Sequence, residues 1–251
     1  DILQSKFDHA RNHLDILKLP AKTIEPGEYK VFLTPSALGE VLGLLGWFSF
    51  SQKAVQTKQS ALLTLVEKQT SLHPKVHISE DNEGGVGPAF NTKGFIKKPN
   101  VSLIKEGAYA GALTSARSAR EYDLTTDGTN ASEHPESLAL SPGELAEADV
   151  LKELGTGLYI SNLWYMNFSD RQSCRMTGMT RFATFWVEDG KISAPVNVMR
   201  FDESLYRMLG ENLLALTQER EHILDAGTYH RRSTSSTNLP GALVNNFRLT
   251  L

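Results

Sequence analysis

Residues 180–199 read Thr-Arg-Phe-Ala-Thr-Phe-Trp-Val-Glu-Asp-Gly-Lys-Ile-Ser-Ala-Pro-Val-Asn-Val-Met, TRFATFWVEDGKISAPVNVM in one-letter form. Two runs that alternate in polarity flank Asp189-Gly190, a pair whose residues both tolerate positive φ. A two-residue hairpin turn joining antiparallel strands at 180–187 and 191–199 is the direct reading. Pro195 withholds a backbone donor, which puts the second strand near a sheet edge or at a bulge. In this register Phe182 and Trp186 share one face and Phe185 takes the other.

Outward from that hairpin the other segments agree with it. Residues 158–163 form a further strand, 101–104 and 108–113 a second hairpin across Lys105-Glu106-Gly107, and 242–250 a final strand. Residues 1–19 have a helical apolar period that Pro20 ends. Thr34-Pro35 opens a helix with a hydroxyl cap and a proline where no N–H is missed, and its apolar positions 37, 38, 41, 42, 44 and 45 leave little polar face. Residues 51–70 and 203–221 read as helices, and 144–154 as one capped by Gly155. The stretch 125–144, polar and rich in turn formers, reads as a mobile surface loop. Short strands outnumber helices and pair as hairpins, so the fold class is α+β: a large, mostly antiparallel sheet with packed helices.

Composition excludes several classes. The chain has 251 residues, 40% hydrophobic and 22% charged, with a net charge of −3 and its 26 basic residues dispersed. That is globular composition without a nucleic-acid surface. The longest apolar run, 41–48, is too short for a membrane span. One cysteine, Cys174, permits neither an internal disulfide nor a cysteine-rich zinc site and fits a reducing cytoplasm. The opening on Asp1, with no methionine or signal peptide, suggests a domain taken from a longer protein.

A catalytic zinc needs three protein ligands and an open position for water. Of the seven histidines, His9 and His13 stand four apart on the first helix without a neighbouring glutamate, so a solvated face is the simpler reading. His73 and His77 precede Glu80, Asp81 and Glu83. As an extended segment they would put both rings on one sheet face, a weak candidate metal pair. Cys174 lies between Arg171 and Arg175, which could favour a thiolate, against an inert loop thiol. The glycines of 84–87 lack the lysine and the frame of a phosphate loop. Trp164 and Tyr165, beside a strand, could line a peptide groove or form the edge of the core.

Three segments in order resemble one family. Residues 185–196, FWVEDGKISAPV, are similar to its W/Y-x-[IV]-E-[DN]-G-x-[IV]-x-x-P-V pattern. Residues 102–121, SLIKEGAYAGALTSARSARE, and 239–251, LPGALVNNFRLTL, resemble its other two. The family is TldD/PmbA (TldE), also called modulators of DNA gyrase, and the resemblance covers 30–251 as its C-terminal domain. Residues 1–29 would be an entry helix and linker from an absent N-terminal domain. In the TldD-like subunit a buried helix carries H-E-x-x-x-H, with a cysteine ligand near the C-terminus, and the PmbA/TldE-like subunit lacks these and pairs with it. Here Gly39 and Leu44 stand at the histidine positions while Glu40 and Gly43 keep family-like residues. No cysteine follows Cys174, and a D-x-E-G turn has become Asn91-Thr92-Lys93-Gly94.

The resemblance therefore implies a non-catalytic, PmbA/TldE-like member of a cytoplasmic peptidase system. It would bind no zinc itself, zinc being expected only in a TldD-like partner, and it would touch neither nucleic acid nor membrane. Its peptide or partner surface would involve Trp164, Tyr165, Phe182 and Trp186. Two alternatives stay open: an active hydrolase built on His73 and His77, and a homodimeric binding module unrelated to proteolysis.

Overall fold

The computed structural model describes residues 2–229 and 232–250. In chain order its elements are α1 (Ile2–Leu17), β1 (Gly27–Leu33), α2 (Pro35–Gly46), α3 (Gln52–Gln56) and α4 (Leu63–Val66). Next come β2 (Ile78–Asp81), β3 (Asn100–Lys105), β4 (Ala108–Tyr109), α5 (Ala116–Glu121), β5 (Ser137–Leu140) and α6 (Val150–Leu154). The long strands β6 (Gly157–Asp170) and β7 (Arg175–Glu188) follow, then β8 (Lys191–Pro195), β9 (Arg200–Ser204), β10 (Leu213–Leu224) and β11 (Ser236–Leu249).

All the strands belong to one sheet, ordered β1-β6-β7-β9-β11-β5-β2-β3-β4, with β8 on β7 and β10 on β11. Most ladders are antiparallel, and β1–β6 and β11–β5 are parallel. β1 also pairs with β11, so β1, β6, β7, β9 and β11 close on themselves. Along these paired stretches closure removes the strand edges. Val31, Leu33, Leu158, Ile160, Phe201, Val244 and Phe247, all nearly inaccessible, pack in the main core with α2. Phe32, Val187 and Leu243 turn to the opposite face and meet Val150 and Leu154 of α6.

The helix at Thr34 is built as its sequence predicts. Thr34 Oγ1 accepts from Ala37 N at 3.2 Å and donates to Ser161 O at 2.7 Å, so the cap also ties α2 to β6. Ala37, Leu38, Val41, Leu42 and Leu45 are almost fully buried. The hairpin turn also forms, with Asp189 at φ 50° and Gly190 at φ 74°.

Several expectations need correction. Residues 203–221 are not a helix: β9 is followed by a π-turn at Arg207–Glu211, and β10 then pairs along β11. Gly210 has non-helical dihedrals there, and pairing with β11 outweighs the helical spacing of the leucines. Residues 51–70 divide into α3 and α4, because Lys58 (φ 57°) and Lys68 (φ 58°) take left-handed conformations that end each turn without a glycine. The stretch 125–144 is no mobile surface loop. Its Ser137–Leu140 is a wholly buried strand between β2 and β11, and its carboxylates are internal ties.

Glu133, 2% exposed, shows how those ties work. Ser51 and Ser115 cap α3 and α5. The Glu133 carboxylate accepts from Ser51 Oγ at 2.6 Å, Lys53 N at 2.9 Å and Ser115 N at 2.9 Å, joining both helix starts. Burial opposes its charge, but the hydrogen bonds, led by that from Lys53 N, prevail and hold its pKa below the ordinary value. Asp127 similarly accepts from Thr114 N at 2.7 Å and Thr129 N at 2.9 Å.

Candidate functional site

Helix α2 turns a narrow open face away from the core. Glu40 and Gly43 are exposed and Gly39 is half-buried, whereas Leu44 is 9% exposed and belongs to the main core. A Cβ on Gly39 would sit 3.5 Å from Leu239 Cδ1 and 4.0 Å from Ile223 Cδ1, and one on Gly43 would meet nothing within 4 Å. The face therefore looks onto the β10–β11 hairpin and carries the Glu40 carboxyl, which reaches solvent while the neighbouring protein takes away part of its hydration and raises its pKa.

These residues do not fit a zinc ion. Neither glycine nor leucine donates an electron pair, and Leu44 points inward. Among the described residues no three histidine, cysteine, aspartate or glutamate side chains come together as a metal site. Zinc would need three such ligands. The His9 side chain and all of His230 lie outside the described residues.

His73 and His77 do not share a sheet face. Residues 74 and 75 form a turn, and the strand begins only at Ile78. His73 Nδ1 accepts from Lys75 N at 3.1 Å, and His77 Nδ1 accepts from Glu106 N at 3.3 Å. Glu80 points elsewhere: its Oε1 accepts from Glu136 N at 2.8 Å and Ser137 N at 3.0 Å. Proline 74 breaks the extension that the four-residue spacing assumed.

Cys174 is fully buried, and burial pushes its thiol up to about 12, so the flanking arginines do not make a thiolate. The turn at 91–94 serves structure: Asn91 Oδ1 accepts from Lys93 N and Phe95 N, and its Nδ2 donates to Gly128 O and Thr129 O.

The four aromatic residues separate into two groups. Trp164, Tyr165 and Phe182 are exposed by 48%, 81% and 68%, and the Trp164 and Phe182 rings meet edge-on at 6.2 Å. Trp186 is partly buried, faces Tyr29 and carries Lys22 Nζ 4.2 Å above its ring. An extra residue at 182–183, between the pairs Ile160–Thr184 and Asn162–Arg181, shifts the alternation that would have aligned Phe182 with Trp186. The second strand of that hairpin is not open either, since Lys22 N donates to Pro195 O and Asn197 N to Lys22 O.

A cavity of about 700 Å³ with mixed polar and apolar walls opens beside the start of α2, lined by Phe32, Thr34, Ser36, Tyr159, Glu221 and His222 among others. Helix α1 covers part of it. Lys6 Nζ pairs with Glu221 at 2.9 Å, and the His13 ring lies 4.8 Å from Phe185 and 5.5 Å from Tyr159. Burial first, then Glu147 and Glu221, push the Tyr159 hydroxyl up to about 12. Sequence reasoning missed this cavity, because its residues are scattered over 6–222 and meet only once the sheet has closed.

A family model described as the PmbA/TldA metallopeptidase C-terminal domain matches residues 26–251. No curated protein matches the chain. Among solved structures, it is similar to TldE from Thermococcus kodakarensis, with TM-score 0.80 and 14% identity over 97% of this chain and 55% of that one. A candidate modulator of a DNA gyrase from Thermotoga maritima gives 0.74 and 19%, covering 92% and 51%. Another from Bacteroides thetaiotaomicron gives 0.70 and 15%, covering 93% and 49%. The chain thus spans about half the length of these structures, and at such identities they show a common fold.

Proposed function

The chain belongs to the PmbA/TldD metallopeptidase family through its C-terminal domain, and from that premise we propose that it is a TldE-like, non-catalytic subunit. It pairs in the cytoplasm with a TldD-like relative that supplies the metal and the general base. The single observation that carries this reading is the open face of α2: two glycines and one carboxylate, with Leu44 in the core where a second ligand would be needed. The likeness to a TldE structure over 97% of the chain supports it. On this reading the subunit contributes surface, not chemistry, to peptide maturation.

Co-expression with a TldD-like protein that keeps H-E-x-x-x-H is the test. The pair should co-purify and cleave an unfolded peptide, while this chain alone should not. Cleavage by the isolated chain, or failure to associate with any such relative, would refute the proposal.

A further inference from the structure

The cavity beside the start of α2 combines two kinds of wall. Phe32 and Tyr159, with ring centroids 5.5 Å apart, form an apolar side. Glu147, Glu219 and Glu221 supply three carboxylates, against the two cations Lys6 and Arg220. Among the described residues the other titratable groups on its border are Tyr159 and the His13 and His222 rings. Glu219 is engaged, its Oε2 accepting from Glu147 N at 2.9 Å. Burial, then the charges of Glu147 and Glu221, keep the Tyr159 hydroxyl neutral, so these two carboxylates act on the same part of the cavity.

Lys6 comes from α1. Its Nζ donates to Glu221 Oε1 at 2.9 Å, and that bond, the Glu221 charge and a smaller effect of Glu147 raise its pKa. The cavity thus already receives an alkylammonium group. Helix α1 holds it there weakly. Phe7, Leu14 and Leu17 are exposed, so the apolar stripe that ordinarily fixes a surface helix does not face the sheet. A free helix of 16 residues is marginal in water, and an exposed ion pair adds little. When Lys6 swings away, three carboxylates are left with Arg220 alone.

We propose that this cavity binds a primary alkylammonium group, held by Glu147 and Glu221 with its methylene chain along Phe32 and Tyr159, and that Lys6 is a tethered occupant which such a ligand displaces. The carboxylates give charge-assisted hydrogen bonds, and an aromatic face attracts a cation and the methylenes beside it. A neutral ligand of the same shape would take water from Glu147 and Glu221 and return nothing to them. Two sources present this chemistry: a free diamine, and the side chain of a lysine in a peptide. The site needs no second subunit, so it stands apart from the pairing proposed above.

Amide NMR titration of the 251-residue chain tests this, at about pH 8 and about 0.15 M salt to screen loose charge attraction. The probes are cadaverine, Nα-acetyl-lysine amide and, as a control without the ammonium, Nα-acetyl-norleucine amide. We expect saturable shifts at Ser36, Asn162 and His222 with a Kd of about 1 mM or tighter, and none with the norleucine probe. Binding of cadaverine alone assigns the site to free diamines, and binding of the lysine probe assigns it to peptide lysines. The double variant Glu147→Gln/Glu221→Gln, altered only at side chains that reach solvent, should melt like the parent chain and bind at least about tenfold more weakly. Lys6→Met removes the tethered competitor and should tighten binding about two- to fivefold. No cavity shifts with either amine, equal shifts with the norleucine probe, unweakened binding by the double variant, or no tightening in Lys6→Met would overturn the proposal.

Discussion

Replacing Glu80 with glutamine should change how stability depends on pH. Glu80 is 3% exposed; one oxygen accepts two backbone N–H groups, and Oε2 has no partner among the described atoms. The adjoining Glu136 carboxylate is taken by Lys97, at 2.5 Å. Burial raises the Glu80 pKa from 4.5 to about 7, the Glu136 charge adds to the rise, and the two N–H groups and Lys97 oppose it. The folded chain thus holds this proton more tightly than the unfolded chain, so stability falls as pH rises from 4.5 to about 7 and then levels. Integrated between pH 5 and pH 8, the shift corresponds to a loss of about 2.5 kcal/mol. Glutamine keeps an acceptor for the two N–H groups and does not titrate. Urea unfolding of both chains at pH 5 and pH 8 isolates the effect, because all other titrating groups are common to the two. The parent chain should lose about 2–3 kcal/mol more than Glu80→Gln over that interval. A difference near zero, or a parent chain that gains stability relative to the variant, would refute the reasoning.

Three further outcomes follow from the same contacts. Glu133→Ala should cost about 3–5 kcal/mol in chemical denaturation, since it orphans Ser51, Lys53 N and Ser115 N at two helix starts; a loss below about 1 kcal/mol would show that water replaces the carboxylate. Cys174 in the native chain should react with a thiol reagent only as fast as the protein unfolds, and at once in denaturant, because the thiol is buried; rapid native labelling would contradict this. Glu40→Gln should leave the peptidase activity of a reconstituted pair within about threefold of the parent pair, whereas loss of a general base would cost about a hundredfold or more.

The sequence made some of this structure legible because certain residues act locally. Thr34-Pro35 starts a helix by its own hydroxyl and ring, and Asp189-Gly190 turns a hairpin by its own dihedrals, so both could be read without knowing what surrounds them. The segment 203–221 could not, because its leucines suit either a helix or a half-buried strand, and the decision lies with β11, more than a dozen residues away. The positive φ values at Lys58, Lys68, Tyr165 and Phe182 were equally hidden, since nothing in those side chains announces a left-handed backbone. That neither Gly39 nor Leu44 can donate an electron pair to a metal was plain from residue identity. The cover that Lys22 gives to the outer side of the strand carrying Pro195 was not.

The central claim is that this chain is the partner without metal in a two-subunit peptidase, and native mass spectrometry of the co-expressed pair tests it most directly. The account predicts one copy of each subunit with a single zinc that stays with the TldD-like chain when the pair is dissociated. Zinc bound stoichiometrically to this chain, or peptide cleavage by this chain without a partner, would contradict it.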